Sequence, residues 1–431
     1  MAEPLVVTGG SLLDAKSEQQ ADLLIADGEI ADIGDPGAFN GKGLEVDASD
    51  ALVMPGFVDI QVHFRTPGGE ESEDISSGAA GAALGGVTAC LMMPNTVPTI
   101  DNPDLVSEVL RLGRDTPCDV YTSAAITVDR AGESLVDFVA LYEAGVRVFT
   151  DDGTVVDSED LMRGALEASS QFPDVVISQH AEHSAMVEGG VINQGVVSDR
   201  LGLKGRPSEA EVIIVERDIA LAKQTGGRYH VLHISTAAAS DRVRNAKAAG
   251  LRVSAEVTPQ HLILTEEDVE RLGTSGKMNP PLRTAADVEG LRAALFDGTI
   301  DAVATDHAPH SPSSKAVDLP DAPPGMLGVE TMASVIWNEF VARGLMTPQR
   351  FVALLSASPA AIAGISTHGA PFAIGVPANI AIFDPRERWI IEPNELQSKS
   401  VNTPWPHKDV QGRVRHTICN GALVVHHGTL T

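Results

Sequence analysis

Between residues 57 and 305 short apolar runs alternate with helical patterns. The runs are Phe57–Val62, Val87–Met93, Asp119–Ile126, Val146–Thr150, Val175–Gln179, Tyr229–Ile234, Arg252–Val257 and Asp301–Thr305, and each reads as a strand. Helical segments separate most of them. Pro103 follows the capping pair Asp101-Asn102, while Ser158–Phe172 and Ser208–Thr225 repeat apolar residues at helical spacing and stop at Pro or Gly. Eight strand-helix units over about 300 residues predict an α/β fold, a (β/α)8 TIM-type barrel.

The two ends of the chain follow a different pattern. Leu5–Thr8, Asp22–Ala26 and Glu29–Ile33 read as short strands, the last two joined by Asp27-Gly28, a pair that tolerates the positive φ of a tight hairpin. Near the other end, Asn379–Phe383 and His416–Cys419 lead through Asn420-Gly421 into Ala422–Val425. Both ends are therefore expected to build one small β module. The expected division is residues 1–54 and 366–431 for that module and residues 55–365 for the barrel, with no repeat or low-complexity tract to sharpen either boundary.

Charge narrows the function. With 31 Lys and Arg against 59 Asp and Glu the net charge is −28, which repels nucleic acid and anionic membrane surfaces, so neither is an expected partner. No apolar run reaches the roughly eighteen residues of a membrane helix, and Met1-Ala2-Glu3 lacks the basic start of a signal peptide. A cytoplasmic protein is expected. Its three cysteines, Cys90, Cys118 and Cys419, are too dispersed for a disulfide framework or a zinc knuckle, so any metal must rely on His and carboxylate.

Active sites of such barrels lie where strands end and loops begin. Asp59-Ile60-Gln61-Val62-His63-Phe64-Arg65 puts residues 59, 61, 63 and 65 on one face of an extended strand. The run Val146–Thr150 leads into Asp151-Asp152-Gly153, Val175–Gln179 into His180, and Asp301–Thr305 into Asp306-His307-Ala308-Pro309-His310, while Tyr229–Ile234 carries His233. Singly, each has an ordinary explanation as a cap, a turn residue or a hydrogen-bonded core histidine. Together at one barrel mouth they supply the nitrogen and oxygen donors zinc takes when thiolate is absent.

Pro55-Gly56-Phe57-Val58-Asp59, His63-Phe64-Arg65, Met93-Pro94-Asn95-Thr96, Thr150-Asp151-Asp152-Gly153, Lys277-Met278-Asn279-Pro280-Pro281-Leu282-Arg283 and Thr305-Asp306-His307-Ala308-Pro309-His310 resemble the motif series of dihydroorotases in the amidohydrolase superfamily. Hydantoinases and allantoinases share that fold, so substrate must be argued from the narrower motifs, Met-Pro-Asn-Thr and Lys-Met-Asn-Pro-Pro-Leu-Arg. The resemblance implies that His63 and Asp306 hold one metal, His180 and His233 a second, and that Asp152 bridges them. The pattern alone does not separate Asp152 from Asp151; the family's Asp-Asp-Gly places the second Asp on the metals. Gln61 departs from the usual His-x-His, and its amide oxygen is a poorer zinc ligand than an imidazole nitrogen. One or two Zn2+ ions per chain are therefore expected.

The same resemblance implies that Arg65, Asn95 and His310 bind the carboxylate of the substrate, that Asn279 meets the ring amide, and that Pro324 and Gly325 touch substrate through their backbone. They belong to a Ser-, Pro- and Asp-rich segment, Ser311–Gly328, that reads as a lid. The expected activity is the metal-dependent interconversion of N-carbamoyl-L-aspartate and L-dihydroorotate in pyrimidine biosynthesis, with Asp306 moving the proton. Alternatives are a non-catalytic subunit supporting aspartate carbamoyltransferase and a hydrolase of another cyclic amide. A homodimer and a complex with aspartate carbamoyltransferase are the expected assemblies.

Overall fold

In the computed structural model, which describes residues 3–431, Gly56 separates two strands that belong to different layers. Leu52–Pro55 pairs with the C-terminal strand Ile380–Ile391, whereas Phe57–Val62 opens the barrel. A side chain at position 56 would bring its Cβ to 2.2 Å from Thr88 Oγ1, so only glycine fits where the chain crosses over.

The barrel strands are β1 (Phe57–Val62), β2 (Val87–Met92), β3 (Asp119–Thr122), β4 (Val148–Phe149), β5 (Val176–Gln179), β6 (Tyr229–Val231), β7 (Val253–Val257) and β8 (Ala302–Val303). The pairings β1–β2, β2–β3, β4–β5, β5–β6, β6–β7 and β7–β8 are all parallel. Parallel bridges from Ala124 to Phe149 and from Val62 to His307 join the remaining edges and close the ring. All eight runs legible in the sequence are strands, several shorter by a few residues.

Apolar side chains from around the ring meet inside it, among them Val58, Ile60, Leu91, Val148, Val176 and Leu232, and Ile362 and Ile365 pack against the same cluster. The opposite faces of the strands pack on the helices in the largest core. Strict alternation along β1 does not hold, because the register slips between Asp59 and Val62. Val58 and Ile60 face the interior, and the bulge lets Gln61 and His63 turn inward after them, while Asp59 is spent on the backbone N–H and hydroxyl of Thr305.

The chain ends build two sheets. One contains Leu5–Thr8, Asp22–Ala26, Glu29–Gly34 and Leu44–Asp47; the other joins a block of C-terminal strands, including the twelve-residue pair Ile380–Ile391 and Lys408–Cys419, to a block of N-terminal ones where Ile380–Ile391 pairs with Leu52–Pro55. Leu23, Ile25, Val46, Val53, Ile380 and Ile418 form their shared core. Both expected hairpins turn through consecutive positive φ angles, 51° and 87° at Asp27-Gly28 and 48° and 76° at Asn420-Gly421. Among the described residues no helix is long and apolar enough to cross a membrane.

Candidate metal and substrate site

The loops at the C-terminal ends of the barrel strands enclose a cavity of about 130 Å³. His63, Arg65, Asn95, Asp152, His180, His233, Asn279, Asp306, His310, Pro324 and Gly325 all line it, so distant stretches of chain converge there. Gln61 lies just beneath, fully buried, with its Nε2 donating to Asp152 Oδ1 at 3.3 Å.

Donor atoms of Asp152, His180 and His233 all lie within 4.8 Å of one another. His233 Nε2 is 3.3 Å from Asp152 Oδ1, and His180 Nδ1 is 3.0 Å from His233 Nε2. Burial alone would raise the Asp152 carboxyl, but the hydrogen bond from His233 and the nearby His63 and His180 outweigh it and hold it well below the usual range. Two imidazole nitrogens and a carboxylate turned toward one point are a donor set that a divalent cation satisfies. His233 sits at φ 31° and Asp306 at 48°, a left-handed region costly for residues other than glycine and recurrent at functional sites.

Glu182, which carries no motif in the sequence, supports this cluster. It is buried and accepts from His180 Nε2 at 3.1 Å, which leaves His180 Nδ1 facing the site. Burial would raise its carboxyl, but His180, Arg206 and Arg283 bring it down to about 2. Asp151, the neighbour of Asp152, points elsewhere and accepts from the backbone N–H groups of Ile126 and Thr127 at 2.8 and 3.0 Å. Its role is to clamp a loop.

His63 pairs differently. Its Nε2 is 2.9 Å from Asp306 Oδ1 and its Nδ1 is 2.8 Å from Asn95 Oδ1. Asn95 therefore orients His63, a contact not apparent from its position after Pro94. His307 lies behind: its Nδ1 accepts from the backbone N–H groups of Gly328 and Val329 at 3.2 and 3.4 Å, and its Nε2 is 3.5 Å from the buried Glu73.

On the other side of the cavity Arg65 donates from Nε to the Pro309 carbonyl at 3.2 Å. Among the described residues no carboxylate lies within ion-pair distance of its guanidinium, and burial pulls it down to about 10, which leaves it charged at neutral pH. His310 donates from Nε2 to the Pro324 carbonyl at 2.7 Å; burial and the neighbouring Arg65 and Lys315 push it down to about 3, so it is neutral. Asn279 Oδ1 is buried without a partner.

The segment Ser311–Gly328 is fastened over the rim. Lys277 Nζ donates to the carbonyls of Leu319 and Pro320, and Lys315 Nζ to those of Thr274 and Pro323. Asn402 donates to Ala308 and Gly325 at 3.1 and 3.0 Å and accepts from His310 N–H. Asn402→Ala leaves two buried carbonyls unpaired. It is expected to cost about 2 kcal/mol in denaturant unfolding and to raise KM, because the backbone at Ala308 and Gly325 is no longer tied together through the Asn402 amide.

Comparison with known proteins agrees with this geometry. A Dihydro-orotase-like family model matches residues 50–239. A dihydroorotase of Pelotomaculum thermopropionicum is 43% identical over 424 residues, covering 98% of each chain. One from Mycobacterium leprae is 41% identical, covering 94% of this chain and 95% of its own. Among solved structures, an L-hydantoinase (dihydropyrimidinase) from Arthrobacter aurescens superposes with a TM-score of 0.90 at 23% identity, covering 100% of this chain and 98% of its own. A dihydropyrimidinase from Brevibacillus agri superposes with a TM-score of 0.87 at 22% identity, covering 99% and 96%. These structures share the fold, a (β/α)8 barrel with a β module from both chain ends.

Proposed function

The chain belongs to the dihydroorotase family, and from that premise we propose that it interconverts N-carbamoyl-L-aspartate and L-dihydroorotate in pyrimidine biosynthesis. The observation that carries this reading is the unpaired Arg65 guanidinium facing the Asp152, His180 and His233 cluster across one cavity. Asp306, Asp152 and Glu73 act on this half-buried guanidinium only from a distance, and a cation withdrawn from water with no carboxylate in direct contact is costly. A substrate carboxylate supplies the counter-charge, and the planar fork of arginine grips it in two parallel hydrogen bonds.

The all-nitrogen-and-oxygen donor set suits zinc, held by Asp152, His180 and His233. A divalent cation there supplies a nucleophile from water near neutral pH and polarises the reacting carbonyl. The protein does the rest. Arg65 and the rim at Pro324 and Gly325 fix the carboxylate end, and Asn279 Oδ1, otherwise orphaned, accepts the ring N–H. Asp306, oriented by His63, takes a proton during ring opening and returns it to the leaving nitrogen; in the biosynthetic direction the same carboxylate works in reverse.

Arg65→Lys keeps the charge and loses the fork. Its KM for carbamoyl-aspartate is expected to rise about tenfold to a hundredfold, measured by steady-state kinetics, and an unchanged KM would place the carboxylate elsewhere. Substrate class is tested by comparing kcat/KM for dihydroorotate with that for dihydrouracil and hydantoin, which lack the carboxylate. Dihydroorotate is expected to be preferred by about a hundredfold or more, because the others leave Arg65 unpaired. Preference for hydantoin or dihydrouracil would refute the proposal.

A further inference from the structure

Building on the carbamoyl-aspartate reading above, we propose that Arg130, together with Nδ2 of Asn95, binds the carboxylate that carbamoyl-aspartate has and dihydroorotate lacks.

The loop after β3 fixes the place of Arg130. Thr127 and Leu135 bridge its two arms, and Asp151 holds its base by accepting from the backbone N–H groups of Ile126 and Thr127 and from the Thr127 hydroxyl at 2.5 Å. Asp101 accepts from the N–H of Asp129 at 2.9 Å. Between these ties Asp129 and Arg130 both adopt left-handed backbone, at φ 54° and 55°. Arg65, at φ 56°, is the one other arginine among the described residues with a positive φ. Such conformations are costly for side chains beyond Cβ and recur where a group is aimed at a ligand.

The guanidinium of Arg130 has no task within the fold. It is half-buried, and among the described residues it has neither a hydrogen bond nor a carboxylate within ion-pair distance; its Nε is buried without a partner. Gly153 shows where it points. A Cβ on that glycine, which lines the substrate cavity at φ 83°, would lie 3.1 Å from Asn95 Nδ2 and 3.3 Å from Arg130 Nη2. Asn95 uses its Oδ1 on His63, which leaves Nδ2 free. Two N–H donors from different loops therefore converge beside a residue without a side chain, at the edge of the cavity.

This is a second cationic station. Arg130 feels Asp152 and Asp151, Arg65 feels Asp306, Asp152 and Glu73, and neither feels the other, so the two share only Asp152. Carbamoyl-aspartate carries two carboxylates. Ring closure consumes one, whose carbon becomes a ring carbonyl while an oxygen leaves as water; the other survives in dihydroorotate. Arg65 serves the surviving carboxylate, and Arg130 the one that exists only in the open chain. A guanidinium suits it, because it offers parallel N–H donors and a permanent charge.

Isothermal titration of the full zinc-loaded chain with succinate and with its monoamide, succinamate, tests the assignment, since the pair differs by one carboxylate. The wild type is expected to prefer succinate. Arg130→Gln is expected to weaken succinate about tenfold and succinamate less than twofold, with an unchanged melting temperature, and Arg130→Lys to restore part of the loss. In steady-state kinetics the KM of Arg130→Gln should rise about tenfold for carbamoyl-aspartate and less than twofold for dihydroorotate. No succinate preference in the wild type, an unchanged succinate affinity in Arg130→Gln, or equal weakening of both probes would each overturn the proposal. Titration does not depend on turnover: a chain that prefers succinate through Arg130 yet converts no dihydroorotate would refute the functional reading and leave the anion station standing.

Discussion

Asp152→Asn is expected to release the metal and to lower turnover by a thousandfold or more. An amide oxygen is neutral and cannot replace the carboxylate charge between His180 and His233. Without the ion, water stays far too weak an acid to give hydroxide near neutral pH, and a thousandfold in rate corresponds to roughly 4 kcal/mol of barrier. Elemental analysis and steady-state kinetics on the same samples check both halves. Asp152 is a buried acceptor for Gln61 and His233, so a circular dichroism spectrum and melting curve are needed to show that the fold survives. Full metal content in the variant would move the metal to other residues.

The second large effect is expected at Asp306. Asp306→Asn keeps the size and the oxygen that meets His63, yet an amide cannot accept and return a proton. General acid–base catalysis accounts for about a hundredfold to ten-thousandfold in rate, so kcat should fall within that range. KM for carbamoyl-aspartate should change little, because Arg65 and Asn279, the proposed substrate contacts, are unaltered. Metal content should stay at the wild-type level, since Asp152, His180 and His233, the donor set proposed for the ion, are untouched. A variant that retains more than a tenth of wild-type kcat would exclude Asp306 as the proton carrier.

Much of the barrel was legible because each strand is a short apolar run set off from helical spacing. The terminal sheets were less so. Ile380–Ile391 runs through Asp384-Pro385-Arg386-Glu387, which reads as a turn, yet the strand continues past a register shift there. Ser11–Leu13 and Glu18–Gln20 are three residues each, too short for any periodicity to declare them. On β1 the alternation rule assigned Asp59 to the same face as Gln61 and His63; the bulge that separates them leaves no signature in composition.

The candidate site divides in the same way. His63, Asp152, His180, His233 and Asp306 stand where strand ends meet loops, so the barrel topology made them visible. Glu182 and Arg206, which brace His180, have no such marker. Their connection runs through folded space, from the loop after β5 to Arg206 at 2.8 Å, and no spacing along the chain encodes it. The opposite ends of Gln61 could not be told apart from sequence either, since only its hydrogen-bond partners show which end meets Asp152.

The most direct test of the account is the conversion of carbamoyl-aspartate to dihydroorotate by the purified wild-type chain, first zinc-loaded, then stripped with a chelator, then reloaded. Turnover is expected to disappear with the metal and to return with it. A folded, zinc-loaded protein that converts neither carbamoyl-aspartate nor dihydroorotate would contradict it.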